Sequence, residues 1–132
     1  MAPKDILLVE DSGADACLFR MVAREVMPGV GISRVEGGEE ALRRLQADGP
    51  APDLVVLDLD LPDGDGFDVL SAIRSDVRLR DIPVVVWSAS PEGSDVRRSY
   101  ELGARLFISK GSGLAELYGC AAAVASLVEK CV

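Results

Sequence analysis

The sequence predicts an α/β fold of the flavodoxin-like type, a (βα)5 doubly wound parallel sheet with strand order 2-1-3-4-5. Short apolar runs alternate along the chain with segments of helical periodicity, as in successive strand-helix units. One run, Leu54–Leu57, is apolar at every position, as expected of a central strand covered on both faces. Acidic residues follow two of the runs, where the carboxyl ends of parallel strands place ligand sites.

The first half of the chain supplies three strands and two helices. The first helix carries apolar residues at helical spacing until Pro28 and Gly29 end it, and a Gly-Pro-rich breaker at 49–52 follows the second helix. Around these stop signals the predicted elements are a strand at 6–9, a helix that includes 17–26, a strand at 32–35, a helix at 39–47 and a strand at 54–57.

The second half continues the alternation after a polar loop from Asp58 to Gly66. The fourth strand has Pro83 near its start, where the missing N–H is tolerated. Ser94 or Asp95 could cap the fourth helix, which is expected to end at Gly103. The predicted elements are a helix that includes 67–73, a strand at 82–87, a helix ending at 103, a strand at 106–108 and a helix over 114–128.

Composition restricts the function classes. The 132 residues are 48% hydrophobic and 27% charged, which suits one soluble domain over 1–132, and we expect it to be cytoplasmic. Fourteen Lys and Arg against 22 Asp and Glu give a net charge of -8, which argues against nucleic acid and anionic membranes as partners. No signal peptide or membrane-spanning segment is evident. The absence of His excludes Ser-His-Asp and Cys-His sites and His-ligated zinc.

Three carboxylates are predicted to converge at one edge of the sheet. Glu10 and Asp11 follow the first strand and Asp58 follows the third, and these strands are neighbours in the predicted order. Acids this close repel one another unless a cation offsets them, and all-oxygen ligands favour Mg2+. The alternative is that each acid caps a helix or faces water.

Lys110 and Ser88 lie at the ends of the fifth and fourth strands and complete the pattern of a phosphoryl-transfer site. Asp58 would be the nucleophile, while the Lys110 ammonium and the Ser88 hydroxyl would bind phosphoryl oxygens. Ala89 leaves space beside the hydroxyl. Taken alone, such a Lys is usually just exposed, and such a Ser is usually a cap or turn residue.

The chain resembles a two-component response-regulator receiver domain over nearly its full length. The motifs that carry the resemblance are ILLVEDS (6–12), PDLVVLDLDLPDGDGFDVL (52–70), IPVVVWSAS (82–90) and FISK (107–110). The resemblance implies a phosphoacceptor at Asp58, a sensor histidine kinase as phosphodonor, an unknown downstream protein and a single receiver domain with no output domain. It also implies Mg2+ ligation by Asp11, Asp58 and the Asp60 backbone carbonyl, with Glu10 acting through water or holding the acidic shell.

Other family positions affect the switch and its lifetime. The family's mobile aromatic residue corresponds to Phe107, which lacks a phenol hydroxyl and could equally be a plain core residue. Asp60 and Ser90 correspond to positions that influence attack by water, and Asp60 could either order that water or repel it. Gly111 stands where the family often has a cis-proline, so a cis peptide is not expected.

A narrower similarity is to the small stand-alone response regulators that partner bacterial phytochrome histidine kinases. It is carried by RRSYELGARLFISKG (97–111), the missing proline and the segment SDVRLRDIP (75–83). These proteins tend to form homodimers through the face of helix four, strand five and helix five. In this chain that face would include Tyr100, Leu102, Leu106, Leu117 and Tyr118, although ordinary helix packing also explains them.

Three other interpretations compete with this one. Asp58-Leu59-Asp60 imitates the D-x-D motif of a haloacid-dehalogenase-type phosphatase, which leaves Glu10 and Asp11 unexplained. A calcium loop fails because the EF-hand register places Leu61 and Ala72 where Asp and Glu belong. A receiver-like adaptor that binds partners without phosphorylation stays open as the alternative function.

Overall fold

A computed structural model describes residues 4–89, 93–111 and 113–130. Five strands form the main sheet, and we number them β1 (Asp5–Val9), β2 (Gly31–Val35), β3 (Leu54–Leu57), β4 (Val84–Ser88) and β5 (Leu106–Ser109). The helices between and after them are α1 (Gly13–Val26), α2 (Gly38–Gln46), α3 (Gly66–Ser75), α4 (Gly93–Glu101) and α5 (Leu114–Lys130).

The main sheet is parallel throughout, with the order β2-β1-β3-β4-β5. This is the predicted flavodoxin-like order 2-1-3-4-5. The chain has an additional feature that was not predicted, a small antiparallel hairpin of Asp60–Leu61 and Gly64–Asp65 inside the loop after β3. If its two strands are counted along the chain, the order of the main sheet becomes 2-1-3-6-7.

Most element boundaries differ from the prediction by one or two residues, as is common at frayed ends. The fourth strand is the clearest case, since β4 begins at Val84 rather than at residue 82. Pro83 has no N–H for the ladder, although its carbonyl still accepts a bond from the Val55 N–H at 3.0 Å. The predicted caps Ser94 and Asp95 lie inside α4, which begins at Gly93. Residues 90–92 lie outside the described ranges.

The sheet is covered on both faces, and this explains why β3 is apolar throughout. Val55 and Leu57 belong to a cluster that packs under α2 and α3, whereas Leu54 and Val56 belong to a cluster under α1 and α5. All four side chains are fully buried. Burial of apolar surface stabilises a fold by about 25 cal/mol per Å2, so these two core clusters are the main source of stability.

The packing of α5 bears on the predicted dimer face. Leu117 is only 8% exposed and lies in the core under α1 and α5, so its predicted place on an exposed dimer face is wrong. The apolar side of α5 must face the sheet, and Leu117 lies on that side with Cys120 and Ala121. No helix in the described part of the chain is long and apolar enough to cross a membrane.

Candidate functional site

The backbone ladder continues beyond the strand ends and places the predicted site residues side by side. The Glu10 N–H donates to the Val35 carbonyl at 3.0 Å, and the Asp58 N–H donates to the Val9 carbonyl at 3.0 Å. The Lys110 N–H donates to the Ser88 carbonyl at 2.8 Å. These bonds extend three strand pairings by one residue each, so the hydrogen bonds of the sheet hold the backbone of the site residues in place.

The predicted acidic cluster is present at the carboxyl end of β1 and β3. Carboxylate oxygens of Glu10, Asp11 and Asp58 all lie within 4.8 Å of one another. Glu10 and Asp58 are buried, with 0% and 4% of their surface exposed, whereas Asp11 is exposed. Two buried acids beside an accessible one form a set of hard oxygen donors that suits a divalent ion such as Mg2+ or Mn2+.

Lys110 reaches into this cluster from the end of β5. Its Nζ lies 2.6 Å from Glu10 Oε1, 3.1 Å from Asp58 Oδ2 and 2.9 Å from Asp15 Oδ2. The ammonium also lies 4.9 Å from the centroid of the Trp87 ring, at cation-π distance. The predicted pair of Lys110 and Asp58 is therefore in direct contact, and the charge of the buried acids is partly neutralised.

Burial and pairing shift the protonation equilibria in opposite ways. Burial raises the pKa of Glu10 from 4.5 to about 7, although the Lys110 ammonium and the Ser12 N–H favour the charged carboxylate. Burial alone would lower the pKa of Lys110, but its bonds to Glu10 and Asp15 and the charges of Asp58 and Glu10 raise it overall. Lys110 is therefore a permanent cation at physiological pH.

Sequence reasoning missed two residues of this site, Asp15 and Arg34. Arg34 donates from Nε to the Glu10 carbonyl at 2.9 Å and from Nη2 to the Asp11 carbonyl at 3.0 Å. It thereby fixes the backbone on which both acids are carried. The available signals were weak: Asp15 lies in the first turn of α1 directly after the acids, and Arg34 lies beside Leu8 in the β1-β2 register.

The loop after Asp58 is held in place by three contacts. The Asp60 N–H donates to Asp58 Oδ1 at 3.1 Å, while the Asp60 side chain is exposed. Asp63 accepts from the N–H groups of Gly38 and Glu39, both at 2.9 Å, and so caps α2, whose own N-cap Gly37 has no side chain. These bonds lower the pKa of Asp63.

Gly66 is required by a close approach of α3 to the end of β3. A Cβ at this position would lie 2.5 Å from the Asp58 carbonyl oxygen and 2.7 Å from the Leu59 Cα. Its N–H donates to the Leu59 carbonyl at 2.9 Å. The absence of a side chain at Gly66 therefore allows the Asp58 backbone to sit where it does.

Ser88 differs from its predicted place beyond the fourth strand. It is the last residue of β4 and is completely buried, and its Oγ has no hydrogen-bond partner among the described residues. A buried hydroxyl without a partner costs about 1 to 3 kcal/mol. Ala89, the next residue, is exposed, so the polypeptide reaches the surface directly after this hydroxyl.

Phe107 is half-buried and packs against the core cluster under α2 and α3. Its backbone N–H donates to the Tyr100 hydroxyl at 3.1 Å, which joins β5 to α4. Phe107 therefore has the packing of a core residue, and its link to Tyr100 is made by its backbone. Ser90, the second predicted lifetime position, lies outside the described residues.

The other residues of the predicted dimer face are more accessible than Leu117. Tyr100 and Tyr118 are exposed, and Leu102 and Leu106 are half-buried. Leu102 packs toward one core cluster and Leu106 toward the other, so these two lie on opposite sides of the sheet. Tyr118 donates its hydroxyl to Glu25 of α1, which directs it toward α1.

Gly111 occupies a tight position after Lys110. A Cβ there would overlap the Glu116 side chain, so any larger residue requires Glu116 to move. The described residues contain no cis peptide bond, in agreement with the expectation drawn from the missing proline.

Comparison with known proteins gives the same assignment. Residues 6–121 match the family model described as the response regulator receiver domain. The chain is 39% identical over 121 residues to response regulator Rcp1 of Synechocystis sp., covering 88% of this chain and 82% of Rcp1.

Two solved structures are similar over nearly the whole chain. One is the phosphorylated cyanobacterial phytochrome response regulator RcpA, with a TM-score of 0.90 and 34% identity over 99% of this chain and 97% of that chain. The other is the Mn2+-bound form of Rcp1, with a TM-score of 0.85 and 37% identity over 94% and 93% of the two chains. The chain belongs to the response regulator receiver family and is similar over nearly its whole length to a cyanobacterial phytochrome response regulator.

Proposed function

We propose that this receiver domain accepts a phosphoryl group on Asp58 from a sensor histidine kinase. The observation that carries the proposal is the contact of Asp58 Oδ2 with the Lys110 ammonium, inside a cluster of acids that includes Glu10 and Asp11. A carboxylate oxygen of Asp58 attacks the donor phosphorus and forms an O–P bond. The P–N bond to the kinase histidine breaks, and its electron pair stays on the imidazole nitrogen.

We further propose that the acidic cluster holds Mg2+ during this reaction. The ligands would be the carboxylates of Asp11 and Asp58 and the backbone carbonyl of Asp60, with Glu10 acting through water or as part of the acidic shell. A hard divalent ion supplies charge neutralisation for the transferring group. The donor set fits this ion because it consists of oxygens alone, and the relative Rcp1 has been solved in a Mn2+-bound form.

Two residues would hold the phosphoryl group, and a third would leave room beside it. Lys110 would bind one of its oxygens, since its cation already touches a carboxylate oxygen of Asp58. The buried Ser88 hydroxyl, which lacks a partner among the described residues, would gain a strong acceptor. Ala89, the next residue, would leave room for the Ser88 side chain to turn toward the phosphoryl group. A phosphoryl group adds roughly one to two negative charges, so the new bonds would be charge-assisted.

The structural change would then spread from Ser88 to β5 and α4. Phe107 would change its packing when the hydroxyl moves, and its bond to Tyr100 links that change to α4. The output is proposed to be protein contact or onward phosphotransfer. The similarity to RcpA, a cyanobacterial phytochrome response regulator, supports a bacterial phytochrome as the kinase. A homodimer through α4, β5 and α5 would use Tyr100, Leu102, Leu106 and Tyr118, with Leu117 behind them.

Titration with beryllofluoride tests this proposal, because that anion complex mimics a phosphoryl group on a carboxylate. Trp87 is the only tryptophan and lies beside Lys110, so its fluorescence reports on the site. We expect a saturable change that requires Mg2+ and is absent in Asp58→Asn. A folded protein that gives no change with Mg2+ and beryllofluoride would favour the adaptor alternative, and steady hydrolysis of an added phosphate ester would favour a phosphatase.

A further inference from the structure

Lys110 forms ion pairs with carboxylates inside and outside the acidic cluster of Glu10, Asp11 and Asp58. Glu10 and Asp58 belong to the metal-type cluster, whereas Asp15 does not, although its Oδ2 lies only 2.9 Å from the ammonium. Asp15 is fixed in the first turn of α1, because its N–H donates to the Ser12 Oγ at 3.2 Å. The ammonium therefore has a third carboxylate partner that comes from a different element and is separated from it by 95 positions in the sequence.

Two of the three carboxylate partners of Lys110 change when the site is used. Asp58 would become an acyl phosphate and Glu10 would turn toward the Mg2+, so both would lose part of their hold on the ammonium. Asp15 has no part in either event. A lysine on a flexible four-carbon stem loses rotamer entropy when it is held in one place, and a fixed carboxylate next to it offsets that cost.

We propose that Asp15 is a positioning residue that keeps the Lys110 ammonium beside Asp58 while the phosphoryl group arrives. The proposal rests on the proposed function of Asp58 as phosphoacceptor. It assigns to Asp15 no contact with the phosphoryl group or the metal. Its effect on the reaction passes through Lys110 alone, and this distinguishes it from a general effect of negative charge at a helix start.

Phosphorylation by acetyl phosphate at saturating Mg2+ tests the proposal, with intact mass as the measure. Asp15→Asn should lower the maximal rate about fivefold, which corresponds to about 1 kcal/mol. Asp15→Glu should restore most of the rate. The matched control is Asp68→Asn, which removes the same charge from the first turn of α3 at an exposed site with no ion pair among the described residues. That control should keep the wild-type rate.

Two further measurements separate positioning from other roles. The Mg2+ dissociation constant of Asp15→Asn, followed by Trp87 fluorescence, should stay within about twofold of wild type, since second-sphere effects on a metal would be about tenfold or more. In urea unfolding with EDTA, Asp15→Asn should lower the midpoint of the wild type but not that of Lys110→Ala, because the two residues act as a pair.

The outcomes are distinguishable from a failure of the proposed function. A wild-type chain that is not phosphorylated would overturn the phosphoacceptor role itself. A wild-type chain that reacts while Asp15→Asn reacts equally fast would overturn only the role of Asp15. The same conclusion would follow if Mg2+ above the concentration that saturates the wild type restored the lost rate, or if Asp15→Asn lowered the urea midpoint equally with and without the lysine.

Discussion

Replacing Glu10 with Gln should stabilise the metal-free protein at alkaline pH. Burial raises the pKa of Glu10 from 4.5 to about 7, so the folded protein holds this proton more tightly than the unfolded chain does. The sign follows from linkage: the contribution of Glu10 to the free energy of unfolding decreases as the pH rises from about 4.5 to about 7 and stays low above that range. A rise of this size in pKa corresponds to about 3 kcal/mol.

Gln is a suitable substitute because it removes the charge and keeps the shape. Its amide oxygen can accept the Ser12 N–H that Glu10 Oε2 accepts at 3.1 Å. Its NH2 group then replaces the oxygen that faces the Lys110 ammonium, so the ammonium must shift toward its other partners. Lys110 would retain Asp15 and Asp58 as partners. The variant should therefore recover up to about 3 kcal/mol at pH 8 and almost nothing at pH 4.5.

Urea unfolding in EDTA at the two pH values measures this difference, with Trp87 fluorescence as the signal because that side chain is buried when folded. Glu40→Gln, an exposed acid in the first turn of α2, serves as the control and should change little at either pH. If Glu10→Gln gained no more stability relative to wild type at pH 8 than at pH 4.5, burial would not dominate over the ion pair with Lys110, and the reasoning would be refuted.

Three other perturbations have defined outcomes. Lys110→Ala should lower the free energy of unfolding in EDTA by about 3 kcal/mol, because it leaves buried carboxylates unpaired. Mg2+ should restore part of the lost stability, and a loss unaffected by Mg2+ would count against a site that Lys110 and the metal share. Gly66→Ala should cost about 2 kcal/mol or more in urea unfolding because its Cβ overlaps the Asp58 carbonyl, and a neutral result would show that α3 shifts freely. Burial raises the pKa of Cys120 to about 12, so a maleimide followed by peptide mapping should label exposed Cys17 and spare Cys120 until urea unfolds the chain; rapid labelling of folded protein at Cys120 would contradict the packing of α5.

The sequence was sufficient to predict the parts of the site that depend on the sheet. Glu10, Asp58 and Lys110 are placed by strand ends, and strand order follows from alternating apolar runs and the rules for parallel sheets. The continuous apolar run of β3 similarly predicts burial on both faces, because neither face of that strand carries a polar side chain.

Long-range polar contacts could not be predicted, since no local pattern encodes them. Asp63 caps α2 from a loop 24 or 25 residues further along the chain, and Asp15 meets Lys110 across 95 residues. The error at Leu117 has another origin. The helical stripe of α5 is apolar over a wide arc, so the sequence alone did not show which of its residues faces the sheet.

Intact-mass measurement after incubation with acetyl phosphate tests the central claim most directly. We predict that the wild-type chain gains the mass of one phosphoryl group only when Mg2+ is present, that peptide mapping after hydride reduction places it on Asp58, and that Asp58→Asn gains none under the same conditions. A folded wild-type chain whose mass stays unchanged with donor and Mg2+, or an Asp58→Asn variant modified to the same extent, would contradict the account.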